Sequence, residues 1–130
     1  MPRLRDDGTI PCARATEERA HGIGSLTVRF IVTAEWDMDA GNDAARSGKL
    51  AETVQSIVED LEPEAIYFMA THGQRSAVMV VNIDDASELP GIAEPWFLAF
   101  NAKIDARPAM VLEDLGKAGP DIQRAVEKYG

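Results

Sequence analysis

Residues 65–83 constrain the fold most strongly, because their pattern predicts two β-strands folded back on each other. Ala65–Thr71 and Ser76–Ile83 are rich in β-branched, aromatic and other apolar residues, which is typical of strands. The short polar link His72–Arg75 joins them and contains Gly73, a residue that tolerates the positive φ of tight turns. The sequence therefore predicts a β-hairpin at the centre of the chain.

A strand and a helix precede the hairpin. Leu26–Trp36 alternates between two side-chain faces, and the face that carries Ile31 mixes apolar with polar residues. Such a face suits a sheet that is covered on both sides. Residues 50–61 carry one apolar stripe at helical spacing, and Pro63 follows their end. Three polar side chains are candidates to cap the start of this helix: Asp39, Asn42 and Ser47.

A second helix and a last strand follow the hairpin. Asp85 and Glu88 have the spacing of a capping box, so a helix starts there. Pro90, Gly91 and Pro95 predict that this helix is short or bent. Lys103–Leu112 predicts a last strand that lies at the sheet edge or contains a bulge, because Pro108 cannot donate a hydrogen bond to a neighbouring strand. Pro120–Tyr129 predicts a short final helix.

The element order β-α-β-β-α-β predicts the α+β class and the ferredoxin-like, split βαβ arrangement. Right-handed connections then give four antiparallel strands with both helices on one face. The uncovered face would hold Ile31 and one alternate pair from the second strand, either Tyr67 with Met69 or Ile66 with Phe68. An apolar face of this size should not stay in water. We therefore expect a symmetric homodimer whose two sheets face each other.

Length and composition predict one folded domain. Residues 1–24 lack sustained periodicity and predict an N-terminal tail, residues 25–116 the domain, and residues 117–130 a short C-terminal helix. The single cysteine, Cys12, excludes a disulfide framework. No apolar run approaches the ~20 residues that cross a bilayer, and no secretion signal is recognisable. We expect a cytoplasmic protein.

The charge distribution argues against nucleic acid and membrane surfaces as partners. The formal net charge is −9, and all of it falls on residues 25–130, because residues 1–24 carry four basic and four acidic side chains. Only Lys103 and Arg107 come near to clustering in the folded part. Binding to a duplex or an anionic bilayer requires clustered basic side chains.

The predicted strand directions bring a mixed set of side chains to one rim of the sheet. The first two strands would end where the last two begin. This rim would hold Glu35, Trp36, His72, Arg75, Asn101 and Lys103, with Trp96 and Phe97 close by. Such a rim suits the mouth of a site for a small organic ligand. The alternative is structural: a surface ion pair, a histidine in a turn, and aromatic residues in the core.

Several segments resemble the dimeric α/β-barrel superfamily, and small uncharacterised bacterial members in particular. The resemblance is carried by the strand Arg29–Trp36, the turn Ile83–Leu89, the aromatic helix end Trp96–Phe100 and the strand 106–115, and it covers roughly residues 26–115. It implies the ferredoxin-like fold and a homodimer. The superfamily includes cofactor-free monooxygenases, muconolactone-type isomerases, haem proteins and ligand-sensing modules, so the resemblance implies architecture more than activity.

Two functions of different class follow. In the first, the homodimer binds or senses a small apolar or aromatic ligand, with Trp36, Trp96, Phe97 and Asn101 as the binding residues. In the second, it is a cofactor-independent monooxygenase or isomerase of a small aromatic or polyketide-like compound.

The second function has its own set of candidate residues. His72 would move protons, with Glu35 and Arg75 as the other catalytic residues, and Arg75 or Asn101 would stabilise an oxyanion. His72 is the only histidine in the predicted domain, and no spacing of Cys or His builds a metal site. We expect no metal and no cofactor.

Overall fold

A computed structural model of the chain describes residues 27–130, which form four strands and five helices. The strands are β1 (Val28–Glu35), β2 (Ala65–Thr71), β3 (Gln74–Ile83) and β4 (Lys103–Ala109). The helices are α1 (Met38–Ser47), α2 (Leu50–Leu61), α3 (Leu89–Phe100), α4 (Leu112–Lys117) and α5 (Gly119–Tyr129), and a 3-10 turn spans Ala86–Glu88. The predicted tail 1–24, with Cys12, and the predicted strand start at Leu26 lie outside the described residues.

The sheet has the strand order β2-β3-β1-β4, and each neighbouring pair is antiparallel. This order confirms the predicted α+β class and the ferredoxin-like topology. Val32 lies between Met79 on β3 and Ala106 on β4, which fixes the register of the central strand. β1 and β2 therefore end at the same rim where β3 and β4 begin.

The hairpin between β2 and β3 is tighter than predicted. β3 begins at Gln74 instead of Ser76, so the loop contains only His72 and Gly73. Their φ values are 55° and 76°. Two-residue loops with positive φ at both positions match the right-handed twist of paired strands. Glycine adopts this backbone without strain, whereas histidine adopts it at some cost.

The connection from β1 to β2 contains two helices where one was predicted. The sequence pattern missed α1 because its side chains are mostly small or polar and form no apolar stripe. Asp37, which was not among the predicted caps, accepts a hydrogen bond from the Ala40 N–H at 3.1 Å. Gly48 then ends α1 with φ 78°, which lets the chain turn directly into α2.

The last predicted strand is also shorter in the structure. β4 ends at Ala109 rather than Leu112, because Asp114 accepts a hydrogen bond from the Val111 N–H at 3.1 Å and starts α4. The predicted capping box at Asp85 and Glu88 is confirmed. The predicted final helix is confirmed as α5. Within residues 27–130, no helix has the length and apolar character to cross a membrane.

The two faces of the sheet have different surroundings. One face packs against α2 and α3, and its buried core includes Val32, Met79, Trp96 and Phe100. We call the other side the open face; its apolar members are Ile31, Tyr67, Met69, Val78 and Val80. Register selects Tyr67 and Met69, rather than Ile66 and Phe68, for that face. Their side chains are 66% and 53% exposed.

Candidate functional site

Two of the predicted rim residues form a hydrogen-bonded pair on the open face. His72 Nδ1 lies 2.9 Å from Glu35 Oε1. The Glu35 side chain is largely buried, at 15% exposure, whereas that of His72 is 81% exposed. Lys103 is the cross-strand partner of Glu35, and all three line a shallow depression of about 220 Å³. The predicted convergence of strand ends therefore holds for these three residues.

Arg75 belongs to the same rim but to the opposite face of the sheet. Its side chain extends towards α1, where Nη1 donates a hydrogen bond to Asn42 Oδ1 at 3.0 Å. A Cβ added to Gly41 would lie 2.8 Å from the same nitrogen, so the helix leaves room for the guanidinium there. The sheet thus separates Arg75 from the pair formed by Glu35 and His72.

The predicted aromatic residues divide between the core and the surface. Trp36 and Phe100 stack with ring centroids 4.3 Å apart and an interplanar angle of 10°. Trp96 completes this cluster, with its centroid 5.9 Å from that of Trp36. Trp96 is fully buried, whereas Phe97, the next residue, is 41% exposed. Sequential residues on a helix point about 100° apart, so Trp96 faces the core while Phe97 reaches the surface.

Asn101 has a structural position at the end of α3. Its φ of 50° is left-handed, and its backbone N–H donates to the Phe97 carbonyl at 2.9 Å. Asparagine is one of the few residues that adopt this conformation readily. The position terminates the helix and turns the chain into β4.

A concave, mainly apolar surface lies between α2 and β2, on the helix-covered side of the sheet. This α2/β2 groove has a volume of about 510 Å³. Its walls are mainly apolar and include Trp36, Leu50, Val54, Val58, Ile66 and Phe68. Of the predicted site residues, Trp36 and Arg75 line it, and Trp96, Phe97 and Asn101 do not. The groove has the size of typical ligand pockets.

Sequence reasoning missed this groove, and two features of the structure mark it. Phe68 is on the helix-facing side of β2, opposite Ala77, yet it is 53% exposed. The apolar stripe of α2 also extends to Val54 and Val58, which are only partly buried. Large apolar side chains are thus only half covered on the facing surfaces of a strand and a helix. This indicates a cleft between the two elements.

The far end of the open face carries an ion pair. Arg29 on β1 donates to both carboxylate oxygens of Glu64, at 3.0 and 3.3 Å, and Asn82 donates to one of them at 3.2 Å. The hydrogen bonds from Arg29, and then the one from Asn82, lower the pKa of Glu64. Across residues 27–130, no group of three or more His, Cys, Asp or Glu side chains is placed to hold a metal ion.

These features define a ferredoxin-like α+β domain with an apolar groove beside an edge strand. Residues 28–123 match the family model of a domain of unknown function, DUF3303. Because the match spans most of the chain, the protein belongs to this family. No curated protein matches the chain.

Two solved structures resemble the fold. The crystal structure of an unknown protein from Galdieria sulphuraria aligns with a TM-score of 0.41 and 14% identity, over 66% of this chain and 47% of that one. The leucine response regulatory protein LrpA of Mycobacterium tuberculosis aligns with a TM-score of 0.43 and 19% identity, over 75% of this chain and 67% of that one. The chain thus spans less than half of the Galdieria protein.

Proposed function

We propose that the protein binds a small apolar or aromatic molecule in the α2/β2 groove and works as a homodimer of the dimeric α/β-barrel type. The groove carries the proposal, because its volume of about 510 Å³ falls in the range of small-molecule sites. Trp36 and Phe68 supply aromatic surface to its lining. An occupant would cover apolar surface that is otherwise exposed to water.

Binding can be tested with the neutral fluorescent probe N-phenyl-1-naphthylamine. Ala51 is exposed on α2 and lines the groove, so Ala51→Phe fills the groove from a position that tolerates a larger side chain. Ala45→Phe, on an exposed part of α1 away from the groove, is the matched control. We expect saturable binding that Ala51→Phe weakens at least about tenfold and Ala45→Phe leaves unchanged. Equal binding by all three proteins contradicts the proposal.

The open face supports the homodimer. Tyr67 and Met69 expose more than half of their surface there, beside Ile31, Val78 and Val80. A second copy packed on this face would remove the apolar patch from water.

The homodimer can be tested by measuring the molar mass of two charged variants. Tyr67→Glu places a charge in the patch, and Leu98→Glu places one on α3, where Leu98 is 82% exposed. By light scattering we expect a dimer for the wild type and Leu98→Glu, and a monomer for Tyr67→Glu. A wild-type monomer, or a dimer that only Leu98→Glu disrupts, contradicts the assembly.

One observation favours the enzymatic alternative, a cofactor-independent monooxygenase or isomerase. The Glu35 carboxylate, as hydrogen-bond acceptor of His72 Nδ1, orients the His72 ring, as a carboxylate does for a catalytic base. Lys103 lines the same depression and places a cation beside this pair. Asparagine tolerates the left-handed backbone of residue 72, so His72→Asn keeps the turn. The enzymatic alternative would be favoured if the wild type converts a bound compound and His72→Asn abolishes the conversion while binding is kept.

A further inference from the structure

Arg75 differs from every other arginine that the structure describes. Arg29, Arg46, Arg107 and Arg124 each pair with a carboxylate. Within residues 27–130, the guanidinium of Arg75 has one hydrogen-bond acceptor, the neutral Asn42 Oδ1. An arginine carries five N–H donors and a permanent charge. Its charge is therefore not neutralised by a described side chain.

The protein holds this guanidinium in a defined place. Gly41 is buried in α1, and any larger residue there would contact Nη1 at 2.8 Å and Cδ at 3.4 Å. Glycine is costly inside a helix, by roughly 0.5–1 kcal/mol relative to alanine. The close approach of Arg75 explains the glycine, and Asn42 on the same helix fixes the orientation of the side chain.

Arg75 lines the α2/β2 groove at one end. α2 begins beside the rim where β1 ends and runs back towards the start of β2, so Ala51 lies near Arg75 and Glu59 at the opposite end. The wall between them spans about 12 Å at 1.5 Å per residue of helix, and it is formed mainly by Val54, Val58 and Ile66. The groove thus joins a cation, an apolar channel and an acidic far end.

We infer that the ligand of the α2/β2 groove, if the proposed function holds, is an amphipathic monocarboxylate whose head group binds Arg75 and whose apolar body lies along α2. The planar guanidinium binds a carboxylate through two parallel N–H···O bonds. A single cation balances one negative charge, whereas a phosphate monoester would bring nearly two. The net charge of −9 repels anions generally, so a local cation is required to hold one. Glu59 at the far end excludes the reverse orientation.

Decanoate and decanol test this inference, because they share the apolar chain and differ in the head group. Their binding is measured by displacement of N-phenyl-1-naphthylamine, with decyl phosphate as a third ligand. In the wild type, we expect decanoate to bind about tenfold more tightly than decanol, as for one charge-assisted hydrogen-bonded pair, and decyl phosphate no more tightly than decanoate. Added salt should reduce the preference for decanoate.

Variants then test whether Arg75 causes the preference for decanoate over decanol. Arg75→Gln should remove the preference for decanoate over decanol while leaving decanol affinity within about twofold. Gly41→Ala displaces the guanidinium without removing it and should reduce the same preference, so the test does not depend on one variant. Arg46→Gln, at an exposed arginine on α1, is the matched control and should change neither affinity.

The outcomes separate this inference from the proposed function. Equal affinity for decanoate and decanol in the wild type, or a preference that survives Arg75→Gln, overturns the carboxylate ligand but leaves apolar binding in place. A preference for decyl phosphate assigns the groove to phosphate esters and also overturns it. No binding of the probe, decanol or decanoate overturns both proposals.

Discussion

Phe100 offers the sharpest test of the packing described above. Its ring is fully buried and stacks on Trp36 at a centroid distance of 4.3 Å. Phe100→Ala removes the ring and leaves a cavity between α3 and the sheet. Truncations of buried phenylalanine cost about 3–5 kcal/mol, which is a large part of the total stability of a domain this size. We expect the melting temperature to fall by roughly 10–20 °C.

Phe97→Ala is the matched control, because it makes the same substitution three residues earlier on the same helix. Phe97 is 41% exposed, so its truncation should cost roughly 1 kcal/mol. Urea unfolding followed by far-ultraviolet circular dichroism measures both variants. A cost for Phe97→Ala equal to or above that of Phe100→Ala would refute the assignment of Phe100 to the core and Phe97 to the surface.

The stacked pair itself can be isolated by a double-mutant cycle. Phe100→Ala and Trp36→Leu, measured singly and together, should show a coupling energy of about 0.5–1.5 kcal/mol. Additive effects of the two substitutions would show that the stacked contact contributes no measurable interaction energy.

Two further predictions concern backbone geometry and pH. Gly73→Ala should lower the free energy of unfolding by about 1–2 kcal/mol, because φ is 76° there. Gly91→Ala, in open space on α3, should raise it by about 0.5–1 kcal/mol. Thermal unfolding that shifts the stability of both variants in the same direction would contradict this prediction. Arg29 lowers the pKa of Glu64, so the Glu64 contribution to stability is present above the ordinary carboxyl pKa and is lost as pH falls through the lowered one. Glu64→Gln should therefore flatten the acid side of the stability–pH curve, and Glu113→Gln on exposed α4 should not.

The central hairpin follows from local patterns. The β-branched and apolar residues of Ala65–Thr71 and Ser76–Ile83, with the glycine at position 73 between them, predict paired strands without reference to the rest of the chain. The short α1 escaped prediction because it buries only Gly41 and so lacks an apolar stripe. The early end of β4 escaped it because Asp114 caps α4 through a backbone contact that alternation does not reveal.

The candidate site was predictable only in part. Convergence of strand ends correctly brought Glu35, His72 and Lys103 together. Arg75 was placed with them, but adjacent residues of a strand point to opposite faces, and Arg75 shares its face with Ala77 and Met79. The sequence pattern leaves Arg75 in the link before a strand that starts at Ser76, and its face follows only because β3 begins at Gln74.

The amino-acid sequence alone determines which segments form strands, how their side chains alternate and where helices lie between them. These features depend on side chains only a few residues apart. The α2/β2 groove and the place of Arg75 within it were decided only by the tertiary structure. Both require α2 to lie over β2 with a gap, and Arg75 to reach Gly41 across 34 positions of sequence. Such contacts depend on how whole elements pack against each other. The periodicity of neighbouring residues carries no information about contacts between segments so far apart in sequence.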